Sequence, residues 1–221
     1  YNIAPAELPS PVHSITRGRA ELRAGCIPAT TPRPVLHVPD HHRARARDLL
    51  ARHGLMAGRY AILLPGCNAN GHLKRWGADR YSALAHQIHH QGLDHVVLVG
   101  GPDEIEECQR IAQACGPWLI NLCGQTAILD IPSLCEPARF IVANDTGTAH
   151  LAAATTVPML VLCGPTNPRR VKPLGDNVTT LQADLPCINC YRKDCSHHTC
   201  MAMLTPPRVW RQLHGIDAGL T

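Results

Sequence analysis

The stretch RFIVANDTGTAHLAAATTVPMLVLC, residues 139–163, reads as strand, helix, strand. Arg139–Ala143 is a short apolar run. Asn144, Asp145 and Thr146 are residue types that cap helix N-termini, and the small residues Gly147–Thr155 follow as a helix. Met159–Cys163 is a second apolar run. Apolar runs without polar alternation need burial on both faces, which a parallel sheet clad by helices provides.

The same alternation continues upstream. Tyr60–Leu64 reads as a strand ending in Pro65-Gly66, and His95–Val99 and Trp118–Leu122 read as two more. Ala78–Gln91 places Tyr81, Leu84, Ala85 and Ile88 on one helical face, with Gly92 as its stop. Asp103–Cys115 turns Ile105, Cys108, Ile111, Ala112 and Cys115 inward, and Ala127–Cys135 is a shorter helix. Residues 41–53 form a helix closed by Gly54, and residues 12–25 hold one short helix before the Pro28, Pro32 and Pro34 linker. The expected fold class is α/β, a Rossmann-like parallel sheet with helices on both faces. Ligands in such sheets sit at the carboxyl ends of the strands. The turns at 65–76, 100–104, 144–150 and 164–173 are therefore the ones expected to carry chemistry.

Bulk properties bound the function. A chain of 221 residues holds one full domain plus part of another. Hydrophobic residues make up 45% and aromatics 4%, so the core must be aliphatic. The net charge of +4 comes mostly from arginine, with lysine only at 74, 172 and 193, and no block of like charge forms a nucleic-acid stripe. Residues 1–10 lack a basic segment followed by an apolar run, and the apolar stretch 151–164 is interrupted by Pro158 and too short to span a bilayer. The sequence begins at Tyr1 rather than Met, which suggests a fragment of something longer. With no export signal, eleven cysteines are expected in a reducing, cytoplasmic compartment, most of them as small buried hydrophobes.

Four turns and one cluster are candidates. In PGCNANGHLKRW, residues 65–76, Gly66 and Gly71 give backbone freedom and Asn68 and Asn70 favour turns. Lys74 and Arg75 then stand at a helix start where an anion such as a diphosphate can bind. An ordinary surface loop with two solvated cations is the plain alternative. At 144–150, Asp145, Thr146, Gly147 and Thr148 open a helix whose free amides suit an anion, although Asp145 is equally a simple cap and His150 a satisfied core residue. Asp103 and Glu104, after Gly100-Gly101, either bond ribose hydroxyls or complement a helix dipole. Thr166 and Arg169–Arg170 either close over a phosphate or belong to a proline-rich exit loop. Cys187, Cys190, Cys195 and Cys200, with His197 and His198 among them, match a zinc site in their first spacing only, and disulfides or free thiols remain alternatives.

Taken together, PGCNANGHLKRW at 65–76, VVLVGGPDE at 96–104, NLCGQT at 121–126, ANDTGTAHLAAA at 143–154 and LCGPTNP at 162–168 resemble glycosyltransferase family 9, the ADP-heptose:lipopolysaccharide heptosyltransferases. Their order and spacing are similar to the family's C-terminal domain across residues 58–210, and the 187–200 cysteine cluster looks like one seen in many members. The resemblance implies a GT-B fold of two Rossmann-like domains, with the nucleotide sugar on the C-terminal one. It implies an inverting transfer that requires no metal cofactor, with a lipid-linked saccharide as acceptor and peripheral contact with the inner face of the inner membrane. Carried over by motif, Lys74 meets the diphosphate or sugar, and Asp145, Thr146 and Gly147 meet the donor with support from Thr148 and His150. Asp103 or Glu104 reaches the ribose. Asn68 and Asn70 stand where relatives place small hydroxylated residues.

On this reading residues 1–57 are a remnant of the N-terminal domain and a linker, and 211–221 are a tail. The catalytic base belongs to the missing acceptor domain, so the chain alone is expected to bind donor and transfer little. The rival readings are another GT-B enzyme using a UDP sugar or an epimerase, a non-catalytic nucleotide-sugar module, and a metal or redox module centred on the four cysteines.

Overall fold

In the computed structural model, which describes residues 10–28, 35–67 and 69–217, the apolar runs form one parallel sheet. Its strands are β1 (Tyr60–Leu64), β2 (His95–Leu98), β3 (Leu119–Asn121), β4 (Ile141–Asn144), β5 (Met159–Cys163) and β6 (Val178–Gln182). The order across the sheet is β3-β2-β1-β4-β5-β6. Every pairing is parallel, with Ile62 beside Val97 on one side of β1 and beside Ile141 on the other. The helices are α1 (Ser14–Ala24), α2 (Asp40–Arg52), α3 (Ala78–His90), α4 (Ile105–Gln113), α5 (Ile131–Cys135), α6 (Gly147–Ala152), α7 (Pro168–Val171), α8 (Thr199–Ala202) and α9 (Pro206–Ile216). Short 3-10 turns at Ala69–Lys74, Pro102–Glu104 and Ile128–Asp130 lead into the helices or loops that follow.

The period of two along each strand divides the core into two layers. Ala61, Leu63, Val96, Leu98, Val142, Leu160 and Leu162 face α3, α4 and α9. Tyr60, Ile62, Leu64, Val97, Ile141, Ala143, Met159 and Val161 face α2, α5 and α6. Both faces of the sheet are dry, which is why these strands carry no polar alternation.

Five strands lie where the sequence places them, to within two residues at each end. The sixth, β6, was not expected. It is an edge strand with two half-exposed threonines in its middle, so it lacks the continuous apolar signal of the others. In α4, Cys108 and Ile111 are buried as expected, but Ile105 is 41% exposed because the helix begins there, outside the packed layer. α2 lies in the stretch assigned to a remnant and linker, yet it buries Ala46 and Leu49 in the same layer as β1. The stretch 211–216, expected as tail, instead completes α9, whose Val209, Trp210 and Leu213 enter the other layer. Among the described residues no helix is long and apolar enough to cross a membrane. No disulfide joins the described cysteines. Cys108, Cys135 and Cys163 are buried, and burial pushes the Cys163 thiol up to about 12, so these behave as inert small hydrophobes.

Candidate functional site

The strand order reverses between β1 and β4, because β1 connects outward to β2 while β4 continues toward β5. Above the carboxyl ends of these strands the chain leaves in opposite directions and opens a cleft. The cleft has a volume of about 460 Å³. Its walls bring together Lys74 from the turn after β1, Asp103 and Glu104 from the turn after β2, and Asp145, Thr146, Gly147, Thr148 and His150 from the β4–α6 junction. Lys74 and His150, 76 positions apart in sequence, thus share one crevice only because β1 and β4 are adjacent.

One buried amide anchors the crevice. Asn144, wholly buried at the end of β4, accepts 2.9 Å from the Tyr81 hydroxyl and donates to the carbonyls of Pro65 and Gly66. It fastens the loop after β1 to β4 and leaves the next residue, Asp145, facing the crevice floor. Asp145 is 3% exposed. Its Oδ2 accepts from Lys74 Nζ at 2.8 Å and from the Thr166 hydroxyl at 2.7 Å. Asp145 therefore does not cap α6 through a side-chain bond: Thr146 is the N-cap, and no side-chain cap bond is made there. The Gly147 and Thr148 amides open α6 without a partner inside the helix, and both residues line the cleft. A Cβ added at Gly147 would meet no atom within 4 Å, so this wall has open space in front of it.

On the opposite wall, Glu104 accepts from the Gly101 N–H at 2.6 Å and so closes its own turn. Arg75 is not among the lining residues. Its guanidinium turns back to the carbonyls of Cys67 and Asp103, at 3.0 and 3.1 Å, and lies 3.5 Å from Glu107. It laces the first loop to the second rather than facing an anion. Thr166 also does not line the cleft; it supports Asp145 from below. Asn68 lies outside the described residues. His150 reaches solvent, yet loss of hydration against the protein lowers its pKa below the ordinary histidine value, against the pull of Asp145.

Cys67, Ile128 and Val171 also line the cleft, although none of them was singled out from the sequence as a site residue. Ile128 is 62% exposed, an unusual place for a large aliphatic side chain, and it offers an apolar surface at the cleft edge. Its turn is fixed by Asp130, which is fully buried. Asp130 accepts from His42 Nδ1, Arg45 Nε and the Ala127 N–H, each at 2.7 Å. Burial opposes its ionisation, but the bonds from His42, Arg45 and Ala127 outweigh that and hold its pKa below the usual carboxylate value. A lone Asp in a short helix gives no sequence signal for such a role.

The cysteine cluster lies apart from the cleft. Cys187 and Cys190 are exposed, Cys195 and Cys200 half-buried, and all four line a cavity of about 250 Å³ with His197 and His198. Among the described residues no three His, Cys, Asp or Glu side chains are disposed to hold a metal ion together. Cys190 and Cys195 lie close enough to Cys200 to raise its thiol pKa further, after burial.

The sequence matches the glycosyltransferase family 9 (heptosyltransferase) profile over residues 14–201. It is 26% identical over 194 residues to lipooligosaccharide heptosyltransferase 2 of Haemophilus influenzae, covering 84% of this chain and 56% of that protein. It is 30% identical over 152 residues to lipopolysaccharide heptosyltransferase 2 of Salmonella typhimurium, covering 66% and 43%. The structure of the ADP-heptose lps heptosyltransferase II of E. coli superposes with a TM-score of 0.71 at 26% identity, covering 88% of this chain and 56% of that one. The chain spans about half the length of the curated relatives it matches.

Proposed function

This chain belongs to glycosyltransferase family 9, and on that footing we propose that it forms the donor-binding half of an enzyme that transfers heptose from ADP-heptose to a lipopolysaccharide core acceptor. The observation that carries the proposal is the crevice at the strand-order reversal, where Lys74 and the α6 amides stand on one wall and Asp103 and Glu104 on another. Three carboxylates and one lysine line it, so a diphosphate fits only at the Lys74 and Gly147 end. The carboxylates of Asp103 and Glu104 suit sugar hydroxyls, which donate to them. Asp145 holds Lys74 in place, and Ile128 gives the nucleobase an apolar face.

In the proposed reaction an acceptor hydroxyl attacks the anomeric carbon, the bond from that carbon to the diphosphate oxygen breaks, and the configuration inverts. Negative charge grows on the departing diphosphate, where Lys74 and the oriented amides stabilise it without reorganising. No step uses a metal, and no residue of this chain is assigned as the base that takes the hydroxyl proton. Residues 58–216 form the donor-binding unit in this proposal, with α2 packed onto it and residues nearer the N-terminus derived from an acceptor-binding domain. The work of the enzyme is placed in the cytoplasm, with the lipid acceptor presented at the inner face of the inner membrane. Whether Cys187, Cys190, Cys195 and Cys200 hold a structural zinc is tested by the metal content of the purified protein.

The test is calorimetric titration of the chain with ADP and with UDP. ADP is expected to bind, and better than UDP. Lys74→Ala is expected to weaken ADP by about tenfold or more, the scale of a lost charge-assisted bond. Equal binding of UDP would point to a UDP-sugar transferase instead, and indifference of ADP binding to Lys74 would remove the site.

A further inference from the structure

The cysteine-rich segment contributes nothing to the donor cleft, yet it grips both loops that carry the Lys74–Asp145–Thr166 network. His198, the residue before α8, holds a left-handed conformation with φ 43°, which a side chain adopts only when its surroundings impose it. Its Nε2 lies 2.6 Å from the carbonyl oxygen of Leu73, the residue immediately before Lys74. That contact lies at the edge of the cavity that the four cysteines line, beside a tightly packed point. A Cβ at Gly164 would stand 2.7 Å from Met201 Sδ and 3.3 Å from the same Leu73 oxygen, so the end of β5, α8 and the turn before Lys74 pack closely at Gly164.

The segment grips the other loop as well. The Tyr191 N–H donates to the Pro165 carbonyl at 2.9 Å, and the Asn167 N–H donates to the Tyr191 hydroxyl at 3.2 Å. Thr166, between those two residues, donates its hydroxyl to Asp145.

We propose that His198 is a positioning residue for the donor site: by donating from Nε2 to the Leu73 carbonyl it fixes the turn that aims Lys74 at Asp145 and at the donor diphosphate. The diphosphate part rests on the function proposed above. A carbonyl oxygen can only accept, so the tautomer with the proton on Nε2 is required.

Two readouts test this, one without nucleotide and one with it. Amide hydrogen exchange reports the turn itself, where the Arg75 N–H donates to the His72 carbonyl at 3.1 Å. His198→Ala is expected to speed exchange at residues 73–76 by about three- to tenfold, the scale of one hydrogen bond. His198→Gln, which keeps a donor of similar reach, is expected to restore protection, and His198→Asn, one carbon shorter, is not. The Gln and Asn variants carry the comparison alone if the Ala variant melts. Unchanged exchange, or equal behaviour of Gln and Asn, overturns the hold on the turn.

In ADP titration, His198→Ala is expected to cost about three- to tenfold in wild type and nothing further in Lys74→Ala, because a residue acting through Lys74 has no effect once Lys74 is gone. Additive losses overturn the positioning role. Failure of the wild type to bind ADP overturns the donor reading and the diphosphate part of this proposal, while the exchange arm still decides whether His198 holds the turn.

Discussion

A methyl group at position 66 should disturb the cleft from a distance. Gly66 follows β1, and a Cβ there would stand 2.2 Å from Glu104 Cγ, 2.4 Å from its Cδ and 2.8 Å from Oε1. Carbon atoms in contact sit about 3.5–4.0 Å apart, so the stem of Glu104 must retreat by roughly 1 Å or more. That retreat breaks the bond from the Gly101 N–H to Oε2, now 2.6 Å. A hydrogen bond to a charged group contributes about 1.5–3 kcal/mol, and partial exposure of Glu104 reduces this to about 1–2 kcal/mol. For a chain of this size Gly66→Ala should lower the Tm by about 3–6 °C. It should also weaken ADP by about tenfold if Glu104 reaches the ribose. The decisive assay is a double-mutant cycle, with thermal melts and ADP titrations of Gly66→Ala, Glu104→Ala and the pair. In the Glu104→Ala background the three atoms nearest the new methyl are gone, so the added cost at 66 should vanish. An undiminished cost in that background would show that Gly66 serves its own backbone rather than Glu104, and the steric reasoning would be wrong.

Gly147→Ala should leave the Tm unchanged or raise it slightly, since the methyl meets no protein atom within 4 Å and alanine favours a helix by up to about 1 kcal/mol. ADP affinity should nevertheless fall about tenfold or more, because the methyl enters the space given to the diphosphate; unchanged affinity in calorimetry would place the ligand elsewhere. Asp130→Asn should cost about 2 kcal/mol at pH 7, with discounting for the half-exposed Arg45. The folded-state pKa of Asp130 is lowered, so its contribution is present above the unfolded value of about 3.9 and is lost as pH falls through the folded one. Urea midpoints of wild type and variant should therefore converge on acidification from pH 7 to pH 3, and a gap that stays constant would assign the loss to shape rather than charge.

Much of this protein was legible in its sequence, and the reason is local. Strands buried on both faces must be apolar throughout, so β1 to β5 announced themselves, and helices such as α3 showed one apolar face ending at a glycine. Sequence placed Lys74, Asp103, Glu104, Asp145 and His150 at strand exits, and parallel sheets gather strand exits on one edge. What sequence could not supply was which neighbour each side chain meets. β6 was missed because an edge strand needs no continuous apolar run. Arg75 and Lys74 are adjacent and alike in charge, yet one laces two loops together and the other faces the cleft. Gly66 was read as giving the turn backbone freedom, and its lack of a side chain also leaves room for Glu104. Asp130 and Ile128 carry no motif, and His198 stood out only as a neighbour of four cysteines, because their roles arise from partners 88 and 125 residues away or from a cleft wall. Periodicity and capping depend on interactions within a few residues, so they can be read along the chain; close approach between distant segments exists only after the sheet has set the order of its strands.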